Sequence, residues 1–348
     1  METKLVSIGR RTIGPGHPCY LIAEVGTTCL GDLDMALALV EAGASAGVDA
    51  VKFQVIDATQ LSDPGVTYPI RVGDKVEHVN MQAMFSRLAF SEAQWCTIAT
   101  ACTARNVDFF ATADHIAGVE LLDRLGAPAH KLGAWDCTFQ PLIDRMGRSG
   151  KPLFVDLGPT TQDEIDDITR WYLAAGGNAV IYLHDYHTTD DREMNMAAIR
   201  HLAATQPWPV GYSSPALDHD LDFVALGMGV TVIEKRLILD RSIKAFHAHE
   251  SLEPKELGEW VARFRHAERS IGAPQIRPSS GDLDGKTKHY RSICTMRPVR
   301  AGETFSPDNL HGKRPGTGIP TKRLGEFWGR RAARDIAADT LIKAEDVA

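Results

Sequence analysis

CYLIAEVGTTCLGDLDMALALVEAGASAGVDAVKFQ, running from Cys19 to Gln54, is the stretch that decides the fold. It opens on an apolar run, Cys19 to Glu24. Asp32 then offers a side chain able to cap a helix, and Leu33, Leu37, Val40 and Ala44 recur at helical spacing. A second apolar run follows, Ala50-Val51-Lys52-Phe53-Gln54. Strand, helix and strand at this spacing predict a parallel βαβ unit.

The same alternation continues along the chain. Apolar runs at 107–112, 129–132, 152–157, 179–183, 209–213 and 231–235 read as strands. Helical patterns at 91–104, 116–125, 138–147, 161–175, 192–204 and 219–228 lie between them, and a last one covers 253–270. An insertion at 56–90 carries Tyr68, Asn80 and Phe85. Eight βα units favour a closed (β/α)8 TIM barrel over an open sheet, here across residues 1–275. Pro, Gly and Ser punctuate the next stretch, so 276–288 reads as a linker. Residues 289–348 then form a small C-terminal domain of short strands and turns, short enough to be expected to pack on a partner surface.

The 348 residues carry a net charge of −7, which argues against a nucleic-acid binder held by phosphate charge. Any anionic ligand must then be held by a local cluster of positive groups. No apolar stretch is long enough to span a membrane, and METKLVSIGR lacks the apolar core of a signal peptide; the expectation is a cytoplasmic protein. Cys19, Cys29, Cys96, Cys102, Cys137 and Cys294 are scattered without a CxxC pair, so they read as reduced thiols, with Cys29 a buried, inert one.

Active sites of such barrels lie at the C-terminal ends of the strands. The polar residues closing the apolar runs are therefore the candidates: Glu24, Lys52 with Gln54, Thr112 with Asp114, Lys131, Asp156, His184 with Asp185, Ser213, and Glu234 with Arg236. Acids and lysines converging on one mouth suit a small charged or sugar-like molecule.

At these residues the chain resembles the sialic-acid (N-acetylneuraminate) synthases. Ile22-Ala23-Glu24-Val25-Gly26 with Gly31-Asp32, Gly47 to Gln54, Lys131-Leu132-Gly133, Gly150-Lys151-Pro152, Ser251-Leu252-Glu253-Pro254 and Lys313 to Ile319 match family motifs in order. The last falls in the family's C-terminal antifreeze-like (SAF, β-clip) domain. The resemblance implies condensation of phosphoenolpyruvate with an N-acetylated aminosugar, assisted by a divalent metal. It also implies a domain-swapped homodimer. It assigns Glu24 as the acid/base carboxylate, Lys52 and Lys131 as anion-binding lysines, and Arg314 as a sugar contact made in trans.

The departures from the family pattern bear on chemistry. Its GxNHNG reads Gly26-Thr27-Thr28-Cys29-Leu30-Gly31 here. Its two metal-binding histidines fall on Pro215, which has no ligand atom, and Arg236, a fixed cation, so no metal cofactor is expected. Two serines of its phosphate pocket become Ala134 and Asp156, and an aspartate becomes His247. A carboxylate at 156 would repel a phosphate.

Each assignment has a plainer alternative. Glu24 and Lys52 could form a structural pair in the barrel interior. Lys131 at a strand end is expected to hold an anion. His184 could merely cap its strand, with Asp185, His187, Asp190 and Asp191 in solvent, and this is the preferred reading over a new metal site. His247-Ala248-His249-Glu250 reads as a solvated loop, although His247 could serve as an acid/base group near neutral pH. Trp135, after Lys131, is placed at the pocket. Three functions stay open: a synthase or lyase acting at a carbon–carbon bond beside a keto acid; a metal-independent enzyme remodelled for another substrate; and a catalytically silent binding protein.

Overall fold

The computed structural model describes residues 3–72, 75–188, 190, 192–214, 217 and 219–348. Pro215, on which one of the metal expectations rests, and Asp191 lie outside the described residues.

Eight parallel strands close into a barrel. They are β1 (Tyr20–Glu24), β2 (Ala50–Val55), β3 (Asp108–Ala113), β4 (His130–Leu132), β5 (Leu153–Asp156), β6 (Val180–His184), β7 (Val210–Ser213) and β8 (Val232–Arg236). β8 pairs with β1, and Arg236 faces Glu24 in the register, as Glu24 faces Lys52 on β2. Thr112 pairs with both Gln54 and Lys131. This register brings residues far apart in sequence to one level of the barrel mouth.

The helices are α1 (Leu33–Ala46), α2 (Glu92–Ala104), α3 (Ile116–Arg124), α4 (Gln140–Arg148), α5 (Gln162–Ala174), α6 (Ala198–Thr205), α7 (Asp220–Gly227) and α8 (Pro254–Ile271). Asp32 caps α1, its carboxylate accepting from the Met35 N–H. The buried stripe of α1 is Ala36, Leu39, Val40 and Gly43, rotated slightly from the expected Leu33, Leu37, Val40 and Ala44. Small residues on that stripe let the helix sit close to the sheet. α6 starts at Ala198, later than the expected 192, because the chain after β6 first runs through turns.

Towards the N-terminal ends of the strands, Tyr20, Phe110 and Phe154 stack with centroid distances of 6.2 and 5.3 Å and fill the barrel. They come from β1, β3 and β5, the alternate strands that supply one layer in this architecture. On the outer side, Phe53 meets Trp95 of α2 edge-on at 5.8 Å. Lys235 Nζ lies 2.8 Å from Asp222 of α7, to which Trp260 of α8 donates at 2.9 Å. This buried ion pair clamps α7 and α8 onto β8.

The insertion folds as a hairpin, Thr67–Val72 with Lys75–Asn80, between short helices Ala58–Leu61 and Met81–Phe85. Its Tyr68 and Phe85 rings pack on Phe246, at 5.1 and 6.2 Å. An N-terminal hairpin, Val6–Ile8 with Arg11–Ile13, was not legible in the sequence.

The chain divides into two compact units, Met1–Gly272 and Ala273–Ala348. The second has its own core of Ile293, Val299, Phe305, Leu310, Phe327, Ala332, Ile336 and Ile342, with Ser292–Thr295 antiparallel to Leu310–Lys313. The stretch read as a linker contains a helix, α9 (Ser280–His289). Ser279 and Asp282 close it with a capping box, a local signal stronger than the Gly and Ser composition suggested. Among the described residues no helix is long and apolar enough to cross a membrane.

Candidate functional site

The mouth of the barrel holds a continuous chain of charged side chains. Glu234 on β8 bridges two lysines, its Oε1 lying 3.1 Å from Lys52 Nζ and its Oε2 3.0 Å from Lys131 Nζ. Lys131, fully buried, also meets Asp156 Oδ1 at 2.7 Å. Lys52 donates to Thr112 Oγ1 at 3.3 Å and stands 3.8 Å from Glu24 Oε1. The candidates Glu24, Lys52, Gln54, Thr112, Lys131 and Asp156 are thus brought together, with Glu234 at their centre.

Glu24 is held by one oxygen. Its Oε1 accepts from the Gly26 N–H at 2.8 Å and from Gln54 Nε2 at 3.2 Å. Its Oε2 is buried and, among the described residues, accepts nothing. A Cβ on residue 26 would lie 2.8 Å from both Gln54 N and Glu24 Oε1, so the turn after β1 requires glycine there.

Arg236, half-buried at the end of β8, reaches Glu250 Oε2 with Nη1 at 2.5 Å. Burial opposes its charge, but Glu250, Glu24, Asp185 and Glu234 outweigh that and raise its pKa. His247 adopts a left-handed backbone, φ 66°, and places Nδ1 3.4 Å from Glu250 Oε2. Burial and Arg236 both push the His247 imidazole below its usual range. The expected solvated loop at 247–250 is instead half-buried structure, with Glu250 tying His247 and Arg236 together.

Electrostatics separates the carboxylates. Burial pushes Asp156 up to about 7, with Lys131 opposing. Burial also lifts Asp185 to about 6, against Arg236 and Lys131. For Glu234 burial acts the same way, but Lys131 and Lys52 overcome it and hold the carboxyl at about 2. A low-pKa carboxylate beside two raised ones is the pattern by which sites divide acid and base work.

Two expectations need correction. Asp185 is not a solvent residue: it is 5% exposed and sits in the field of Arg236 and the lysines. His184 makes a different set of contacts, with Nε2 2.8 Å from the Met194 carbonyl and its ring 6.1 Å from Tyr212. β6 explains both. Tyr182 bonds to Thr169 and Ile165 of α5, so its even positions face the helices and Asp185 falls on the other face.

Ser213 is buried and faces Glu234 in the register. Trp135 is 70% exposed and stacks on His187 at 5.3 Å. Arg314 belongs to the second unit, where its Nε donates to the His289 carbonyl at 2.8 Å. The Cys29 thiol is buried and pushed up to about 12, as suits an inert cysteine. Sequence reasoning missed Glu250 as a site residue; the only signal was its place three residues after His247. Among the described residues no three His, Cys, Asp or Glu side chains are grouped to hold a metal ion.

A closed parallel barrel with this lysine–carboxylate mouth, followed by a small β domain, defines a class, and the chain belongs to the NeuB family. The NeuB family profile matches residues 39–275 and the SAF domain profile residues 290–348. The chain is 28% identical over 346 residues to the N,N'-diacetyllegionaminic acid synthase of Legionella pneumophila, covering 97% of each. It is 29% identical to an uncharacterized protein of Methanocaldococcus jannaschii, over 98% of both chains. The solved structure of a spore coat polysaccharide biosynthesis protein from Bacillus subtilis matches 99% of each chain at 26% identity, with a TM-score of 0.66.

Proposed function

We propose that this protein is an enzyme that forms, or in reverse cleaves, a carbon–carbon bond between a keto-acid unit and a sugar-like aldehyde. The observation that carries this is the Glu24–Lys52–Glu234–Lys131 chain at the barrel mouth, in a NeuB-family protein with a synthase among its relatives. Family resemblance makes phosphoenolpyruvate the first form of the keto-acid unit to test. In that form its C3 bonds to the aldehyde carbon, water adds at C2, and phosphate leaves. Glu24 serves as acid/base group through its free Oε2, and Lys52 and Arg236 supply positive charge where oxygen becomes negative.

The proposal includes a reaction without the divalent ion that the resemblance implies. Arg236 offers a guanidinium, which has no lone pair to give and would repel a divalent cation. The donor set at that position does not fit a metal. Hydrogen bonds from Arg236 to the aldehyde oxygen would do corresponding work. The proposal also places the protein as a homodimer in which Arg314 reaches the partner subunit's barrel mouth. Its Arg-Pro-Gly motif supports that reading.

The test is turnover. Purified protein is mixed with phosphoenolpyruvate or pyruvate and a panel of sugar aldehydes, and mass spectrometry looks for a 2-keto acid three carbons longer than the aldehyde. No such product from any pair would sink this reading. A second reading, a substrate other than phosphoenolpyruvate, is favoured by one contact: the Asp156 carboxylate against Lys131.

A further inference from the structure

We propose that the stacked pair Trp135–His187 is a platform for the non-reacting end of the sugar-like aldehyde, whose hydroxyl groups donate to the carboxylates of Asp136 and Asp114 beside it. The inference rests on the carbon–carbon bond reading above and names the specificity subsite of its aldehyde substrate.

Three loops at the barrel mouth build the platform. Trp135 lies in the turn Ala134–Asp136, which follows β4 and so Lys131. His187 follows β6, and its ring stacks on the indole at 5.3 Å with 24° between the planes. Its Nε2 lies 3.5 Å from Asp185 Oδ2, which orients the imidazole. Gly158, after β5, lets the two loops meet. A Cβ there would lie 2.6 Å from Ala134 Cβ and 3.4 Å from His187 Cε1, and its φ of 41° also favours glycine. The indole is held by this stack, yet it is 70% exposed. Most of its surface is left to a ligand.

The groups beside the indole select that ligand. A Cβ on Gly133 would lie 3.6 Å from Asp136 Oδ2 and 3.5 Å from Thr112 Cγ2, so the Asp136 carboxyl sits beside the threonine that Lys52 contacts. Burial and Asp114 push that carboxyl up to about 6, with no cation opposing them. The Asp114 side chain is 7% exposed. Its Oδ1 meets His115 Nδ1 at 2.5 Å and accepts from the Asp57 N–H at 3.3 Å. Its Oδ2 is buried and, among the described residues, accepts nothing. An apolar partner laid on the indole would leave these oxygens without donors, which is costly in a buried place. A polyhydroxylated chain satisfies both surfaces. Its C–H groups lie on the aromatic face and its O–H groups donate to the carboxylates. The keto-acid unit is left with Lys52, Lys131 and Arg236, and the reacting aldehyde carbon falls between the two subsites.

The test uses the full chain with N-acetylmannosamine and N-acetylglucosamine as probes. Tryptophan fluorescence is quenched with acrylamide, with and without sugar. One of the two sugars should shield the unmodified protein and leave Trp135→Ala, which lacks the exposed indole, unchanged. By calorimetry Trp135→Ala should bind that sugar about two- to tenfold more weakly, and Trp135→Phe should recover most of the loss. Asp136→Ala should weaken binding about tenfold or more. In turnover, Trp135→Ala should raise KM for the sugar with little change in kcat. KM for glyceraldehyde, too short to cover the indole, should not move. Shielding by neither sugar, or sugar affinities unchanged in Trp135→Ala and Asp136→Ala, would overturn the inference. So would loss of dimer mass in Trp135→Ala by light scattering, which would make the indole a subunit contact. If product forms with a KM that Trp135→Ala does not alter, the platform fails and the carbon–carbon bond reading stands. If no pair of reactants gives product, that reading fails, and shielding and affinity still decide the platform.

Discussion

Arg236 Nη1 lies 2.5 Å from Glu250 Oε2, so the turn Ala248–Glu250 is tied to the last barrel strand at the site itself. Glu250 also meets His247 at 3.4 Å, and the three form one unit over the mouth. Arg236→Ala should lower kcat by about 10²–10³, the loss typical of removing one donor to a developing oxyanion, with a smaller change in KM. Glu250→Gln keeps the shape and removes the charge, so its effect should be milder and in the same direction. Excess chelator should leave the unmodified protein's steady-state rate unchanged. Loss of activity to chelator, restored by manganese, zinc or magnesium, would refute the metal-independent part of the proposal.

Glu24→Gln should abolish turnover by a factor of about 10²–10⁴, the usual contribution of a positioned acid/base group. The fold should survive, because an amide oxygen can still accept from Gly26 and Gln54. Circular dichroism and a thermal melt check the fold; product formation checks the rest. Near-normal turnover would remove Glu24 from the mechanism.

The strands, their order and the residues closing them were legible because apolar runs and helical spacing are local properties. Glu24, Lys52, Lys131 and Asp156 followed from the ends of those runs. What depends on strand parity was not legible. His184 and Asp185 are adjacent, and only the bonds of Tyr182 to α5 show which of them faces inward. Glu250 was hidden for a related reason. The turn Ala248–Glu250 follows a left-handed residue, His247, and no periodicity announces such a reversal. The helix Ser280–His289 was read as linker because its glycines and serine outweighed a capping box only four residues long.

Asp222 and Lys235 are both buried and 2.8 Å apart, away from the charge cluster at the mouth. Asp222→Ala would remove the carboxylate 2.8 Å from Lys235, which also donates to Ser214 Oγ, and the acceptor of the Trp260 N–H. Breaking a buried pair from one side costs about 3–5 kcal/mol. Denaturant unfolding should show a loss of that order, partly recovered when Lys235→Met is added. A loss below about 1 kcal/mol would mean the pair is solvated, as exposed pairs of that strength are.

Light scattering should return a dimer's mass for the full chain, and Arg314→Ala should reduce turnover while leaving that mass unchanged. A monomer that turns over normally would contradict the assignment of Arg314 to the partner subunit's site.

Asp156 gives a prediction in pH. Burial raises its carboxyl from an ordinary 3.8 to about 7 in the folded chain. Between those values the native state holds a proton that the unfolded chain has released. Stability from this group is therefore complete below about pH 4 and is lost as pH rises towards and through 7. Glu234 runs the other way, since its carboxyl is held at about 2; its contribution is lost only on acidification below the ordinary carboxylate range. The two windows do not overlap between pH 5 and 8. Asp156→Asn removes the first and keeps an oxygen beside Lys131. Melting temperatures of the two proteins should diverge steadily from pH 5 to pH 8, with the unmodified protein losing ground to the variant. Parallel curves over that range would show that Asp156 is already ionised at pH 5, and that Lys131 holds it as an ordinary salt bridge.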